Sequence, residues 1–253
     1  MRAILLAAGL GTRLRPITDT IPKCLVLIHG KPLLQIWLEK LTEVGIGPFL
    51  INTHYLHKQV EKFIEESEFS EQVELVYEEK LLGTAGTLSK NIDFFQGKDG
   101  MFIHADNYCL SDFNVFVQAH KKRPSGCLMT MMTFRSDSPS SCGIVELDEN
   151  GVVIRFYEKV SSPPGNLANG AVYILSKELI GDFNEKYKYT HDFSLEIIHQ
   201  LMNKINKRCT IFLDAHYCGD DGEKADKWSP IREELNYLKT LRILAWLRHL
   251  IEH

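Results

Sequence analysis

No apolar run in the 253 residues approaches the roughly 20 positions needed to cross a bilayer. The opening Ala3–Gly9 stretch is too short for a signal-peptide core and has no cleavage region, so a cytoplasmic protein without a membrane partner is expected. There is no excess of basic charge either. Lys and Arg total 29 against 33 Asp and Glu, and a net charge of -4 argues against a nucleic-acid partner. None of the six cysteines forms a Cys-x-x-Cys pair, and their irregular spacing suits reduced thiols better than a disulfide framework or a structural zinc site. His216 and Cys218 alone make a weak zinc alternative, with no matching second pair nearby. Linkers, repeats and low-complexity segments are also missing.

What is present is an ordinary globular composition, 44% apolar and 25% charged, in a chain long enough for one large domain. Strand and helix patterns alternate four times through residues 2–106. "RAILLAA", "GPFLINT", "QVELVYE" and "GMFIHAD" read as strands; "KPLLQIWLEKLTEVG", "LHKQVEKFIEES" and "TAGTLSKNIDFF" read as helices. That alternation predicts an α/β fold with a Rossmann-like, mostly parallel sheet and helices on both faces. Ligands of such sheets bind beyond the carboxyl ends of the strands. The second half is richer in strands. "GCLMTMMTF", "CGIVELDENGVVIRFYE" with its Asp-Glu-Asn-Gly hairpin turn, "NGAVYIL" and "CTIFLDA" suggest an inserted, smaller β-rich lobe, followed by a helix "HDFSLEIIHQLMNKI" capped by Asp192. Residues 231–253 read as a tail helix, apolar on more than one face. It is expected to pack on the body or on another subunit, a homodimer through this helix being one outcome.

The segment from Leu5 to Lys23 carries the strongest chemical signal. Gly9-x-Gly11 follows a strand, but Leu14 stands where a dinucleotide fingerprint needs a third glycine, and no Gly-Lys-Ser/Thr completes a Walker loop. Instead Arg13 and Arg15 offer guanidinium forks, and Pro16 and Pro22 stiffen the stretch that returns Lys23. Backbone amides, guanidinium groups and an ammonium at a strand's carboxyl end suit a polyphosphate.

Residues 9–23 follow the pattern G-x-G-x-R-x-R-P-(L/I)-T-x-x-x-P-K, and the chain thereby resembles the sugar-phosphate nucleotidylyltransferases, in particular the mannose-1-phosphate guanylyltransferase-like branch. The resemblance runs over about residues 1–225. It implies a nucleotidyltransferase domain over 1–230, with a nucleotide-binding part (1–110) and a sugar-phosphate-binding part (111–230). It implies that Ala7, Ala8, Gly9, Gly11, Thr12 and Arg13 wrap a nucleoside triphosphate. Arg13 would hold the departing pyrophosphate and Lys23 would neutralise the α-phosphate, making these two the catalytic pair. Gly83 and Thr84, in Leu-Gly-Thr-Ala-Gly, would present backbone to the nucleoside. Asp106 matches the family's strand-end metal ligand for Mg²⁺, which takes oxygen donors and keeps several waters. A second ligand is assigned to Asp220, with Asp221 as competitor, because Asp220-Asp221-Gly222 lacks the Thr-Pro that usually completes this motif.

Glu78 occupies the position where related uridylyltransferases carry glutamine. A carboxylate only accepts hydrogen bonds, which suits the two adjacent donors of guanine better than uracil or thymine. An exposed acid paired with Glu79 is the other reading. On the acceptor side, Glu158 and Lys159 in "FYEKV", Gly143 and Asn169-Gly170 match sugar-phosphate contacts, with Val160 replacing the family's proline. The expected reaction is in-line transfer of a nucleoside monophosphate from a triphosphate, GTP first, to mannose- or heptose-1-phosphate, with pyrophosphate released. Cytidylyl, uridylyl or thymidylyl transfer, a non-sugar phosphate acceptor, or a catalytically silent nucleotide-binding regulatory paralogue are the alternatives. A dinucleotide oxidoreductase lacks both the third glycine and a strand-end acid at the right spacing.

Overall fold

In the computed structural model, residues 1–202 and the backbone of the strand Arg208–Leu213 are described. Eleven strands and six α-helices follow in chain order: β1 (Arg2–Leu6), β2 (Leu27–Ile28), β3 (Lys31–Pro32), α1 (Leu33–Glu43), β4 (Phe49–Thr53), α2 (His57–Glu65), β5 (Val73–Tyr77), α3 (Gly83–Lys90), β6 (Gly100–His104), α4 (Phe113–Lys121), β7 (Cys127–Arg135), β8 (Gly143–Leu147), β9 (Val153–Glu158), β10 (Leu167–Leu175), α5 (Lys177–Lys186), α6 (His199–Met202) and β11 (Arg208–Leu213). The tail read as a helix lies outside the described residues.

The main sheet runs β11-β7-β10-β6-β1-β4-β5. β6, β1, β4 and β5 are mutually parallel. β10 runs antiparallel to both of its neighbours, β6 and β7, and β11 is again parallel to β7. A single reversed strand in a parallel sheet has a useful consequence: its amino end lies at the same edge as its neighbours' carboxyl ends. Asn169 of β10 therefore pairs beside Thr133 at the end of β7. The β-rich second half continues the same sheet rather than standing apart from it, and only the β8–β9 hairpin projects, joined through Ile144 to Ala168.

The near-continuous apolar strands are explained by burial on both faces. Ala3 and Leu5 of β1 pack with Trp37, Leu38, Phe49, Ile103 and Phe113 under α1, α2 and α4. Ile4, between them, joins Leu88, Phe102, Tyr173, Phe183 and Phe193 under α3, α5 and α6.

Three details depart from the sequence reading. α4 and α5 are helices that the sequence reading leaves unmarked, although each has a buried stripe at helical spacing, Phe113, Phe116 and His120 in α4 and Leu179, Ile180 and Phe183 in α5, and each begins at a cap. Asp112 accepts from the amides of Asn114 and Val115, and Ser176 from that of Leu179. The helix read over "HDFSLEIIHQLMNKI" opens as a π-helical stretch, Phe193–Ile198, before α6, with Asp192 accepting from the Leu195 amide as expected. "NGAVYIL" is the continuation of a strand that starts at Leu167, and the Asn-Gly marks a register shift inside it.

His120 ties α4 to the sheet, with Nδ1 2.7 Å from Thr130 Oγ1. Burial holds its imidazole below the usual histidine range, outweighing the opposing pull of nearby Asp99. The unfolded chain takes up a proton near pH 6.5 that the folded chain resists, so stability present above that pH is lost as pH falls below it. We expect urea-unfolding free energies to decline from pH 7.5 to 5.5 and the decline to be shallower in His120→Gln; an unchanged slope contradicts this.

Candidate active site

The connections leaving β1, β4, β5 and β6 converge at one edge of the sheet and enclose a cleft with two chambers. The smaller, about 220 Å³, is walled by Ala7, Ala8, Gly9, Asn52, Glu78, Gly83 and Thr84 among others. The larger, about 620 Å³, is lined by Arg13, Gly143, Glu158, Lys159, Asn169 and Asp192 with their neighbours. Three residues, Lys23, His104 and Asp106, line both. Of the sequence-predicted residues, Ala7, Ala8, Gly9, Glu78, Gly83 and Thr84 line the smaller chamber, and Gly143, Glu158, Lys159 and Asn169 the larger. Arg13 stands in the larger chamber, and Gly11 and Thr12 lie outside both.

Gly11 has a different task in this structure. It adopts φ +65°, and a Cβ there would sit 2.9 Å from Thr18 Cγ2. The Thr18 hydroxyl donates to the Gly11 carbonyl at 2.7 Å and closes the loop on itself. α2 and the residues before it hold the returning strand of the loop: Tyr55 Oη donates to the Asp19 carbonyl (3.2 Å) and Gln59 Nε2 to that of Thr20 (2.9 Å). After Pro22 a 3₁₀ turn buries Cys24, whose thiol is pushed up to about 12 by burial and is therefore unreactive. The same turn presents Lys23.

Lys23 Nζ reaches Asp106 Oδ2 at 2.5 Å, joining the loop after β1 to the end of β6. Burial alone would raise the Asp106 carboxyl, but the Lys23 charge and hydrogen bond outweigh it and hold the group below the usual carboxylate range. Asp106 is thus ionised at neutral pH. His104 is shifted down by burial and is neutral.

Glu78 is buried, not an exposed partner of Glu79. Its Oε1 accepts from Thr87 Oγ1 (2.5 Å) and Asn52 Nδ2 (2.9 Å), and its Oε2 from the Leu82 amide (3.1 Å). Asn52 Oδ1 in turn accepts from the Ala7 amide at 2.9 Å. Each carboxylate oxygen has two lone pairs, so Oε1 is saturated and Oε2 keeps one for a ligand. Against the two acceptors expected from the sequence, the carboxylate thus has room for one further hydrogen bond. The other half of the carboxylate positions the glycine loop through Asn52. Asn52 was missed from the sequence, although a lone amide closing the apolar "FLINT" is a legible signal.

Gly83 and Thr84 open α3. Gly83 has φ +76°, and a Cβ there would lie 2.4 Å from the His191 carbonyl oxygen. Thr84 Oγ1 accepts from the Phe193 amide at 2.7 Å, which docks the π-helical stretch against this helix start.

In the larger chamber, Gly143 and Glu158 are register partners in the β8–β9 hairpin. A Cβ on Gly143 would fall 2.7 Å from Glu158 Oε2 and 2.5 Å from Phe156 Cζ, so glycine there makes room for the carboxylate. Lys159 Nζ lies 3.2 Å from Glu158 Oε1. Asn169 Oδ1 accepts from the Ala171 amide (2.9 Å) and its Nδ2 donates to Tyr173 Oη (2.7 Å), fixing the bulge of β10. Asn107, also missed, bridges the halves. Its side chain donates to the Gly170 carbonyl (3.1 Å), while its own carbonyl accepts from Trp37 Nε1 (2.7 Å).

Among the described residues, no three His, Cys, Asp or Glu groups cluster to hold a metal ion, and no helix is long and apolar enough to cross a membrane. Asp106 brings an ionised oxygen donor to the junction of the chambers, the kind of ligand a hydrated divalent ion accepts. Asp220 and Asp221 lie outside the described residues.

A family model described as nucleotidyl transferase matches residues 2–236. The chain is 28% identical over 214 residues to a D-glycero-alpha-D-manno-heptose 1-phosphate guanylyltransferase of Campylobacter jejuni, covering 85% of this chain and 92% of that protein. It is 29% identical over 250 residues to a UTP–glucose-1-phosphate uridylyltransferase of Synechocystis, covering 93% of this chain but 64% of that protein. A mannose-1-phosphate guanylyltransferase catalytic subunit beta of Drosophila melanogaster is 33% identical over 183 residues, 71% of this chain and 49% of that protein, so the chain spans about half of that relative's length. Among solved structures, HddC from Yersinia pseudotuberculosis complexed with GMP-PN superposes with a TM-score of 0.67 at 25% identity, covering 84% of this chain and 89% of that one.

The Gly83 geometry leaves no space for a side chain. Gly83→Ala should lose about 1–3 kcal/mol of stability from backbone strain and displacement of the His191 carbonyl, read as a lowered Tm. A Tm equal to that of the wild-type chain would show that the α3 start is slack.

Proposed function

This chain belongs to the nucleotidyl transferase family, and from that premise we propose that it transfers a nucleoside monophosphate, GMP by preference, from the triphosphate to a mannose- or heptose-type sugar-1-phosphate with release of pyrophosphate. The observation that carries the reading is the pair of chambers meeting at Lys23, His104 and Asp106. One chamber is built wholly from residues 6–106 and the other mostly from residues 107–195, in keeping with a nucleotide half and an acceptor half.

The chemistry follows from charge. The attacking oxygen of a sugar phosphate is already an anion, so no general base is required. The difficulty is bringing it to a second, more highly charged anion. In the nucleotide chamber, the amides around Ala8 and Gly9 and the start of α3 offer donors. At the junction Lys23 supplies a cation, and Arg13 and Lys159 supply two more on the far side. The 2.5 Å ion pair between Lys23 and Asp106 holds the Asp106 carboxylate ionised before substrate arrives. On binding, Lys23 turns from Asp106 to the α-phosphate, and Arg13 holds the outgoing pyrophosphate. Bound Mg²⁺ would supply further neutralisation of the phosphates, and Asp106 and Asp220 are the residues proposed to hold it. Glu158 accepts from sugar hydroxyls, Lys159 takes the incoming phosphate, and Asn169 with Gly143 shapes the acceptor floor.

For the base, guanylyltransferase relatives and the GMP-PN complex of a similar protein support guanine. A second reading, UTP, is favoured by the uridylyltransferase relative and by Glu78, which offers one acceptor where uracil has one N–H.

The common nucleoside triphosphates crossed with a panel of sugar-1-phosphates, read by pyrophosphate release, should give their highest kcat/KM with GTP and a mannose- or heptose-1-phosphate. Silence in every combination would overturn the enzymatic reading. Lys23→Ala should lose turnover by about 100- to 1,000-fold, the scale of a lost charge-stabilising donor, with Tm nearly unchanged. Near wild-type rates in that variant remove Lys23 from the reaction.

A further inference from the structure

His104 is the one residue at the junction to which the mechanism above gives no role. Its Nε2 is buried and has no hydrogen-bond partner among the described residues. Buried polar atoms are rarely left in that condition, because the group has lost water and received nothing in exchange. The ring stands edge-on to Phe102, with centroids 6.2 Å apart and planes at 79°, and to Tyr173, at 6.4 Å and 69°. The nearby Tyr173 hydroxyl, which accepts from Asn169, does not partner this nitrogen either. Neighbouring apolar strand residues alternate normally: Phe102 packs under α3 and Ile103 under α1, so the strand places His104 on the α3 face directly above Phe102. A hydrophobic or aromatic residue would fill that place without an orphaned nitrogen.

The position narrows what can supply the partner. His104 lines the nucleotide chamber and the acceptor chamber alike, a property shared only with Lys23 and Asp106 among the described lining residues of these two chambers. Whatever lies against all three sits where the two substrates touch. Neither the base nor the far hydroxyls of the sugar meets that condition; the phosphoryl group passed between them does. We infer that His104 donates a hydrogen bond from its imidazole to a non-bridging oxygen of the transferred phosphoryl group, beside Lys23. This rests on the reading of the cleft as a nucleotidyltransferase site. A hydrogen-bond donor there complements the ammonium: Lys23 offsets charge, while His104 fixes the orientation of the phosphoryl oxygens as the attacking and leaving oxygens line up.

The test compares the wild-type chain with His104→Phe, which keeps the ring and removes the donor, and His104→Asn, which restores an N–H. His104→Phe is expected to lower kcat about 10- to 100-fold with both KM values within about threefold, as for loss of one donor to a charged group, and His104→Asn is expected to recover part of the loss. An α-thio triphosphate separates contact from packing. The rate loss that sulfur causes in the wild-type enzyme should shrink in His104→Phe, because the contacted oxygen no longer has its donor. Full activity in His104→Phe, or the same sulfur effect in both proteins, overturns the inference.

A binding readout stands apart from turnover. In ¹⁵N-histidine spectra, the signals lost in His104→Phe identify the ring. They should move with GTP and with GMP and stay in place with guanosine. Movement with guanosine assigns the contact to the ribose or base and overturns the inference, as does no movement with GTP at concentrations that saturate binding. If wild-type protein releases no pyrophosphate from any substrate pair yet GTP moves the His104 signals, the transferase reading fails while the phosphate contact stands.

Discussion

An ammonium and a carboxylate from positions 83 residues apart meet at 2.5 Å, and the cleft is organised around that contact. Lys23 arrives on a proline-stiffened loop after the first strand, and Asp106 stands just past the fourth parallel strand. Each charge is tolerated in a partly enclosed site because the other is there. The carboxylate would otherwise be driven toward its neutral form by burial. The pair therefore holds the Asp106 carboxylate ionised and both side chains in place at the junction of the two chambers.

The surroundings of the pair are rigid by backbone means more than by side-chain mass. Gly11 lets the loop fold onto Thr18, Gly83 lets α3 begin against the His191 carbonyl, and Gly143 lets the Glu158 carboxylate lie across its partner strand. At each place a β-carbon would meet another atom at under 3.0 Å. Buried polar groups complete the scaffold. Glu78 gathers Asn52, Thr87 and the Leu82 amide, and through Asn52 reaches the Ala7 amide. Asn107 links α1 to the bulge of β10. The bulge of β10 is thus tied, through Asn107, to the turn that carries Asp106.

Much of this was readable in the residues. The four strand–helix alternations correspond to β1 through β6. The glycine segment, Lys23 and Asp106 fall where a parallel sheet places its ligands, since apolar periodicity and strand-ending glycines are local properties. The helices α4 and α5 were passed over, although their buried residues fall at helical spacing, because each stripe is only two or three residues long and is interrupted by polar positions. Glu78 shows the same boundary within the site. Its residue type and place in the chain marked it as a candidate, yet nothing in the sequence indicated that Asn52, 26 positions earlier, would occupy half of its carboxylate.

The sequence by itself determined the class of chemistry: which cations and acids are available, on which side of which strands, and with what loop stiffness, all consequences of neighbours in the chain. The division of labour was decided only by the tertiary structure. The reversal of β10 brings Asn169 to the same edge as Asp106, the meeting of two chambers singles out three residues, and closure of the core around β6 leaves His104 Nε2 without a partner among the described residues. Such facts depend on which distant segments share a wall. Hydrogen bonds and charge pairs act over a few ångströms of space, regardless of how many residues of chain lie between them.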